Sequence, residues 1–467
     1  MRIAHLASEV YPFSKTGGLA DVLSSLPKAQ AAYGDEVCVF SPLYPGIAGR
    51  FGLYDTGLAT WVETKRGVYD YRLFATEAHG VRWYFPANMF QFDRAGLYSG
   101  YGGDFGDNYL RFGCFCKAAL SFMEALNFDY EVVHAHDWQA SFVFPYLNML
   151  NRRCTKIFTI HNLAFQGVFD NSAIYDLNID QRLNHIECLE YWDKANFMKG
   201  AIELADAFTT VSPGYAEEIL ADDGHLALGL EDFIRARAFK FSGILNGIDY
   251  ADWDPATDDC LDDNFDLSDM AGRFQCKQDL CRDFNLDPNK PLFAVISRFA
   301  EQKGLPLLAD ALDELKYRDM SLVLLGDGDR HICDVLLAKT PQMPGLRVAV
   351  GFDNALSRKL YAAADFFLMP SLFEPCGLSQ MIAMHYGAVP VVRYTGGLKN
   401  TVLDICYGGC GIVFADYTKA ELVNAVDRAA GLYNSPHMLE IRERAMRQDF
   451  AWRKSCLEYE CLYKQFV

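Results

Sequence analysis

Short, largely apolar runs of strand length recur through this chain, each closed by a Gly- or Asp-rich turn and followed by a helical pattern. They fall at 3–7, 36–41, 132–135, 157–160, 207–211, 292–296, 322–325 and 366–369. A strand without polar alternation has no face to offer water, so both its faces must be covered, and helices between such strands supply the cover. The pattern predicts an α/β fold built on doubly wound parallel sheets. At 467 residues the chain exceeds what one hydrophobic core organises, so two domains are expected.

The rhythm breaks twice. Residues 51–110 are rich in Tyr, Phe and Gly, and Tyr69-Asp70-Tyr71-Arg72-Leu73-Phe74 with Val81-Arg82-Trp83-Tyr84-Phe85 read as hairpin strands inserted into the first domain. Residues 251–269 are Asp-rich with little periodicity, which predicts a solvated connection. The second strand–helix series opens at Leu292, with a hinge near 241–247. In 450–467, Leu457, Cys461, Leu462 and Phe466 stand at helical spacing and predict a terminal helix packed on one of the domains.

Composition narrows the function. Sixty-one Asp+Glu against 43 Lys+Arg leave a net charge of −18, which argues against a general nucleic-acid binder, since phosphate affinity normally rests on a basic face. A small phosphorylated ligand needs only a few local cations. The 14 cysteines contain no CxxC pair and no zinc-like spacing, so buried thiols in a reducing compartment are expected. No apolar run reaches membrane-spanning length, and Glu9 follows the opening Met1-Arg2-Ile3 too soon for a leader ahead of the fold. A soluble cytoplasmic protein is the expectation.

The candidate chemistry sits at strand ends, where open α/β sheets gather ligands. Ser14-Lys15-Thr16-Gly17-Gly18-Leu19 follows the first run; paired glycines and a helix start suit an anion, and Lys15 adds a charge. The sequence is neither a GxxxxGK[ST] loop nor GxGxxG. A similar Thr395-Gly396-Gly397-Leu398 recurs late in the chain, suggesting one ligand served by two similar halves. His134-Ala135-His136-Asp137-Trp138 and Thr159-Ile160-His161-Asn162 end two further strands; Asp137 is read as a polar substrate contact rather than a metal ligand. In the second half, Arg298 and Lys303 flank one loop, a bidentate cation and a point charge suited to a diphosphate. Glu374, trapped between Phe373 and Pro375, is placed to accept hydrogen bonds from sugar hydroxyls. Asp327 and Asp329 read as a turn rather than a metal–nucleotide site.

Together these segments resemble the bacterial-type glycogen/starch synthases: 15–22 (KTGGLADV), 134–139 (HAHDWQ), 159–163 (TIHNL), 244–249 (ILNGID), 297–304 (SRFAEQKG) and 374–378 (EPCGL) occur in family order across nearly the whole chain. The resemblance implies the GT-B architecture, two Rossmann-like domains facing a deep cleft. It assigns 1–243 to an acceptor-side domain, 244–447 to a nucleotide-sugar domain, and 448–467 to a helix returning to the first. It implies retaining transfer of glucose from ADP-glucose to the non-reducing 4-hydroxyl of an α-1,4-glucan (glycogen or a maltooligosaccharide), with no metal, no nucleic acid and no membrane. The alternatives are UDP-glucose or another acceptor, or a catalytically silent glucan-binding protein on the same fold.

By that similarity Arg298, Lys303, Lys15, Gly17 and Gly18 hold the diphosphate, and Glu374 contacts the glucose. Cys376, Gly377, Leu378, Thr395, Gly396 and Gly397 line sugar and phosphate. Asp137, His161, Asn162 and Asn246 shape the sugar pocket, and Phe352 lies beside the adenine. Two positions depart from related patterns. Ile382 stands where related retaining transferases often carry a second Glu, and Lys399-Asn400-Thr401 replaces the usual Arg/Ala-Asp-Thr.

Overall fold

The computed structural model describes every residue except 101–102, 151, 222–225 and 227. The chain divides into two compact units. The first comprises Met1–Val211, Ala216–Gly247 and Trp452–Val467; the second comprises Ser212–Tyr215 and Ile248–Ala451.

Among the described residues the first unit holds a nine-stranded sheet. Its order is Phe241–Gly243, Ala207–Thr210, Thr155–Ile160, Val132–His136, Arg2–Leu6, Glu36–Phe40, Val81–Ala87, Gly67–Ala78, Tyr54–Thr64. The first seven are parallel, and the last two add an antiparallel edge. The aromatic-rich insertion forms the expected hairpin strands, and they extend the main sheet at one edge. The central strands are wholly buried, Ile3, Ala4 and Leu6 among them, as runs without polar alternation require. Helix Gly18–Tyr33 covers one face through Leu19, Val22, Leu23, Leu26 and Gln30, a helical stripe. It stops at Gly34, whose φ of 110° is open chiefly to glycine.

The second unit carries a six-stranded, all-parallel sheet in the order Leu346–Val350, Ser321–Gly326, Leu292–Ile296, Phe366–Met369, Val389–Arg393, Ile412–Phe414. Helix Leu305–Leu315 starts straight after Gly304 with Pro306 in its first turn. It buries Leu308, Leu312 and Leu315 against the sheet, each contributing roughly 1.5–3 kcal/mol.

Three expectations change. The Asp-rich segment lacks helix and strand between 251 and 269, but it is not merely solvated. Asp258 is 6% exposed and accepts from Tyr386 Oη at 2.6 Å and Arg358 Nη1 at 3.1 Å, because an unpaired guanidinium could not be buried there. The terminal helix, Trp452–Tyr463, belongs to the first unit but uses another face. Trp452, Cys456, Tyr459 and Tyr463 are buried, whereas Leu457, Cys461 and Phe466 are exposed. The late Thr-Gly-Gly loop is followed by a helix of only four residues, Leu398–Thr401, so its dipole is far weaker than that of Gly18–Tyr33. None of the 14 cysteines is in a disulfide, and ten are buried. Among the described residues no helix is long and apolar enough to cross a membrane.

Candidate active site

Strand order locates the functional ends of each sheet. In the first unit the chain winds outward from Arg2–Leu6 to Glu36–Phe40 on one side, and later to Val132–His136 on the other. The winding reverses between Arg2–Leu6 and Val132–His136, where the crevice of such a sheet lies. Glu9 follows the first of these strands and Asp137 the second.

Asp137 takes a left-handed backbone, φ 57°, which costs an L-residue about 1–2 kcal/mol. The conformation brings Oδ1 to 2.7 Å from the His161 amide nitrogen, which donates to it. Burial pushes the Asp137 carboxyl up to about 7 against the amides of His161 and Asn162. Glu9, 2% exposed, is pushed up to about 8 by burial, partly offset by its hydrogen bonds from Thr16. Thr16 donates to Glu9 Oε2 through its amide and, at 2.9 Å, through Oγ1. Glu9 therefore anchors the loop that carries Lys15, Gly17 and Gly18. Lys15 Nζ lies 2.6 Å from Asp21 Oδ1 and over the Tyr11 ring; a pair this exposed is worth only about 0–1 kcal/mol. Gly17 has an extended φ of −160° that any residue can adopt, and a Cβ there would meet only Glu9 Oε1, at 4.0 Å. Asn246 is 6% exposed, and its Oδ1 has no hydrogen-bond partner among the described residues. Such an acceptor is already desolvated and gains from any donor a ligand brings.

In the second unit the winding reverses between Leu292–Ile296 and Phe366–Met369. Arg298 leaves the first of these strands, exposed and without an ion pair among the described residues. Lys303 ends a short 3₁₀ turn, Glu301–Lys303. Gly304 has φ +71°, and a Cβ there would stand 1.8 Å from Pro370 O, so this loop packs directly on the one that bears Glu374. Lys303 Nζ donates to Glu374 Oε2 at 2.7 Å, and Ser371 Oγ donates to the same oxygen at 3.2 Å. Glu374 is 4% exposed. Behind it, Gly396 (φ +46°) and Gly397 lie where a Cβ would meet Glu374 O at 1.9 Å and Cys376 O at 2.2 Å. The Gly397 amide donates to Glu374 O at 2.9 Å. Gln380 Nε2 donates to the carbonyls of Cys376 and Gly377. Leu378 then leads into helix Ser379–His385. Thr395 is buried and Phe352 is 84% exposed. Asp329 caps helix Arg330–Lys339 through the amides of His331 and Ile332, which is the turn role expected of it.

The starch synthase catalytic domain family matches residues 2–236, and the glycosyl transferases group 1 family matches 277–446. The chain is 39% identical to a glycogen synthase of Myxococcus xanthus over the full length of both, and 40% identical to one of an Anaeromyxobacter species, again over both full lengths.

The chain belongs to the glycogen/starch synthase family.

A solved relative agrees. The catalytic domain of starch synthase IV from Arabidopsis thaliana, bound to ADP and acarbose, superposes with a TM-score of 0.92 at 31% identity, covering 99% of this chain and 98% of that one. A sucrose-phosphate synthase from Thermosynechococcus elongatus, at 17% identity and a TM-score of 0.62, shares the fold. The two parallel-sheet, Rossmann-like units are those of a GT-B glycosyltransferase, and the protein is a glucosyltransferase that works as a glycogen synthase. Its substrates are a nucleotide sugar and a glucan.

Two features of this glycogen synthase escaped the motif reading. Glu9 carries no motif; its only signal is a carboxylate just beyond a buried strand. The second feature is an array of buried imidazoles. His5, His134 and His136 each bring a ring nitrogen within 4.8 Å of the others. All six of their ring nitrogens are already hydrogen-bonded, to Gln30, Tyr463, Thr159, His161 and one another. A metal ion here would displace several of those bonds, so the trio is a hydrogen-bonded array rather than an open donor set.

Proposed function

We propose that the protein elongates glycogen in the cytoplasm by transferring glucose from ADP-glucose to the non-reducing 4-hydroxyl of an α-1,4-glucan, with retention at the anomeric carbon and without a metal. The second unit takes the nucleotide sugar, and the first presents the acceptor side together with Lys15, Gly17 and Gly18. The observation that carries this reading is the Lys303–Glu374 pair at the reversal of the second sheet. Glu374 fixes the cation of the loop that also carries Arg298, and the Thr395–Gly397 turn backs the loop of Glu374.

Breaking the anomeric C–O bond puts positive character on the sugar and negative charge on the leaving ADP. Arg298 and Lys303 stabilise that diphosphate as its charge grows, which is preorganised electrostatic catalysis. The bond to the acceptor oxygen forms on the face the diphosphate leaves, and the acceptor proton passes to the departing phosphate oxygen. A double-displacement route needs a free carboxylate nucleophile with a second carboxyl about 5 Å away. Glu374 is instead held by Lys303 and Ser371, and Ile382 occupies the position of the second Glu. Glu374 then accepts from glucose hydroxyls, Cys376, Gly377 and Leu378 line sugar and phosphate, and Phe352 stacks on the adenine. Asp137, His161, Asn162 and Asn246 contact the sugar.

Radiolabelled glucose incorporation into glycogen, with ADP- and UDP-glucose in competition, tests the assignment. ADP-glucose is expected to dominate. Preferred use of UDP-glucose overturns the donor, and no incorporation from either overturns the reaction.

A further inference from the structure

The imidazole array belongs to a longer chain of side chains that ends at His161. Thr209 Oγ1 lies 2.7 Å from Thr159 Oγ1, which lies 2.7 Å from His134 Nε2. His134 Nδ1 is 2.7 Å from Tyr463 Oη, and Gln30 Nε2 donates to that hydroxyl at 3.1 Å. Gln30 Oε1 is 2.7 Å from His5 Nε2. His5 Nδ1 is 3.1 Å from His136 Nε2, and His136 Nδ1 is 3.0 Å from His161 Nε2. Seven of the eight members are fully buried, and His161 is 9% exposed. The chain is built from four neighbouring strands, helix Gly18–Tyr33 and the terminal helix.

Burial holds these rings neutral, with His5 lowered to about 4 and His134 and His136 well below their ordinary value. A neutral imidazole donates from one nitrogen and accepts at the other. Every bond in an unbranched chain of such rings therefore points the same way, and one member sets the sense for all. Gln30 is that member, because its two amide ends are chemically distinct. With Nε2 donating to Tyr463, Oε1 must accept from His5 Nε2–H. His5 Nδ1 then accepts from His136 Nε2–H, and His136 Nδ1 accepts from His161 Nε2–H. His161 is left with an unprotonated Nδ1, which no hydrogen bond among the described residues engages.

We propose that Gln30, acting through His5 and His136, is a positioning residue that fixes His161 as a hydrogen-bond acceptor, so that the enzyme selects a sugar hydroxyl presenting its proton to Nδ1. The proposal rests on the reading of His161 as a sugar contact. It gives the terminal helix a part in substrate selection, since Tyr463 holds the Gln30 amide in its working sense.

The test uses the full chain with ¹⁵N-labelled histidine. Long-range ¹H–¹⁵N spectra, assigned with His161→Gln, should show His161 protonated at Nε2 and unprotonated at Nδ1; the reverse tautomer or an even mixture overturns the proposal. In Gln30→Leu both tautomers should appear. The kcat/KM for ADP-glucose should then fall about five- to tenfold, the scale of one hydrogen bond, while inhibition by ADP, which lacks the sugar, stays unchanged. Gln30→Glu, which can only accept from His5, should restore the single tautomer and most of the activity. An unchanged His161 spectrum in Gln30→Leu refutes control by Gln30. Tautomer mixing with unchanged kinetics refutes the selection role, and points to His161 not contacting the sugar. If Gln30→Leu does not fold, Tyr463→Phe frees the amide from the other side and carries the same expected spectrum.

Discussion

Gly396→Ala probes how tightly the site is built. At φ +46°, an added Cβ would stand 1.9 Å from Glu374 O, about 1.5 Å inside ordinary van der Waals contact. The torsion alone costs an alanine roughly 1–2 kcal/mol. The neighbour it strikes is backbone rather than the end of a flexible side chain, so overpacking adds about 1–3 kcal/mol. The loop from Glu374 to Cys376 must move by an ångström or more, carrying the carboxylate that holds Lys303. A displacement of that size at a reacting centre costs about 10²-fold in rate. Gly431→Ala is the control: it lies in helix Lys419–Tyr433, and a Cβ there meets nothing within 4 Å, so it should be neutral or stabilising by about 0.5–1 kcal/mol. Denaturant unfolding and glucose incorporation are measured on both. A Gly396→Ala protein with kcat within threefold of the parent and unchanged stability refutes the packing argument.

Other outcomes follow from the same groups. Glu9 and Asp137 hold their protons up to about 8 and 7, so the folded chain binds more protons than the unfolded chain above the ordinary carboxylate range, and stability falls as pH rises through 7 to 8. The imidazoles oppose this. His5 is lowered to about 4, His161 to about 3, and His134 and His136 well below their ordinary value; these four outweigh the two carboxyls, so below about 6.5 the unfolded chain binds the extra protons and stability falls as pH drops. Urea unfolding across pH should therefore give a maximum near 6.5 from these groups, and Glu9→Gln should flatten the alkaline limb; an unaltered limb contradicts the assignment. Phe352→Ala should raise KM for ADP-glucose about tenfold with kcat nearly unchanged, the scale of one lost base stack. An unchanged KM removes Phe352 from the adenine site.

The apolar runs made both sheets readable, because strands buried on two faces leave no polar period to misread. The strand-end placement of Asp137 and Arg298 was readable for a related reason: a residue that directly follows a buried run leaves the sheet at its carboxyl end. The terminal helix was read correctly but its buried face was not, because the sequence carries two stripes of helical period. The stripe with Leu457 and Phe466 is the more apolar, but Tyr463 is drawn inward by hydroxyl bonds to Gln30 and His134, which a hydropathy pattern does not register. Asp258 was missed likewise, since Arg358 and Tyr386 lie 100 or more residues away in sequence. The histidine chain needs six separate elements in register, and the two local motifs 134–139 and 159–163 hold only four of its eight members.

The claim on which catalysis rests is that Arg298 and Lys303 stabilise the departing diphosphate. The direct measurement is kcat at saturating ADP-glucose for Arg298→Ala and Lys303→Ala, each compared with the parent enzyme. Each substitution should lower kcat by about 10²–10³, the range for losing one transition-state charge partner. Values within about threefold of the parent would contradict the mechanism.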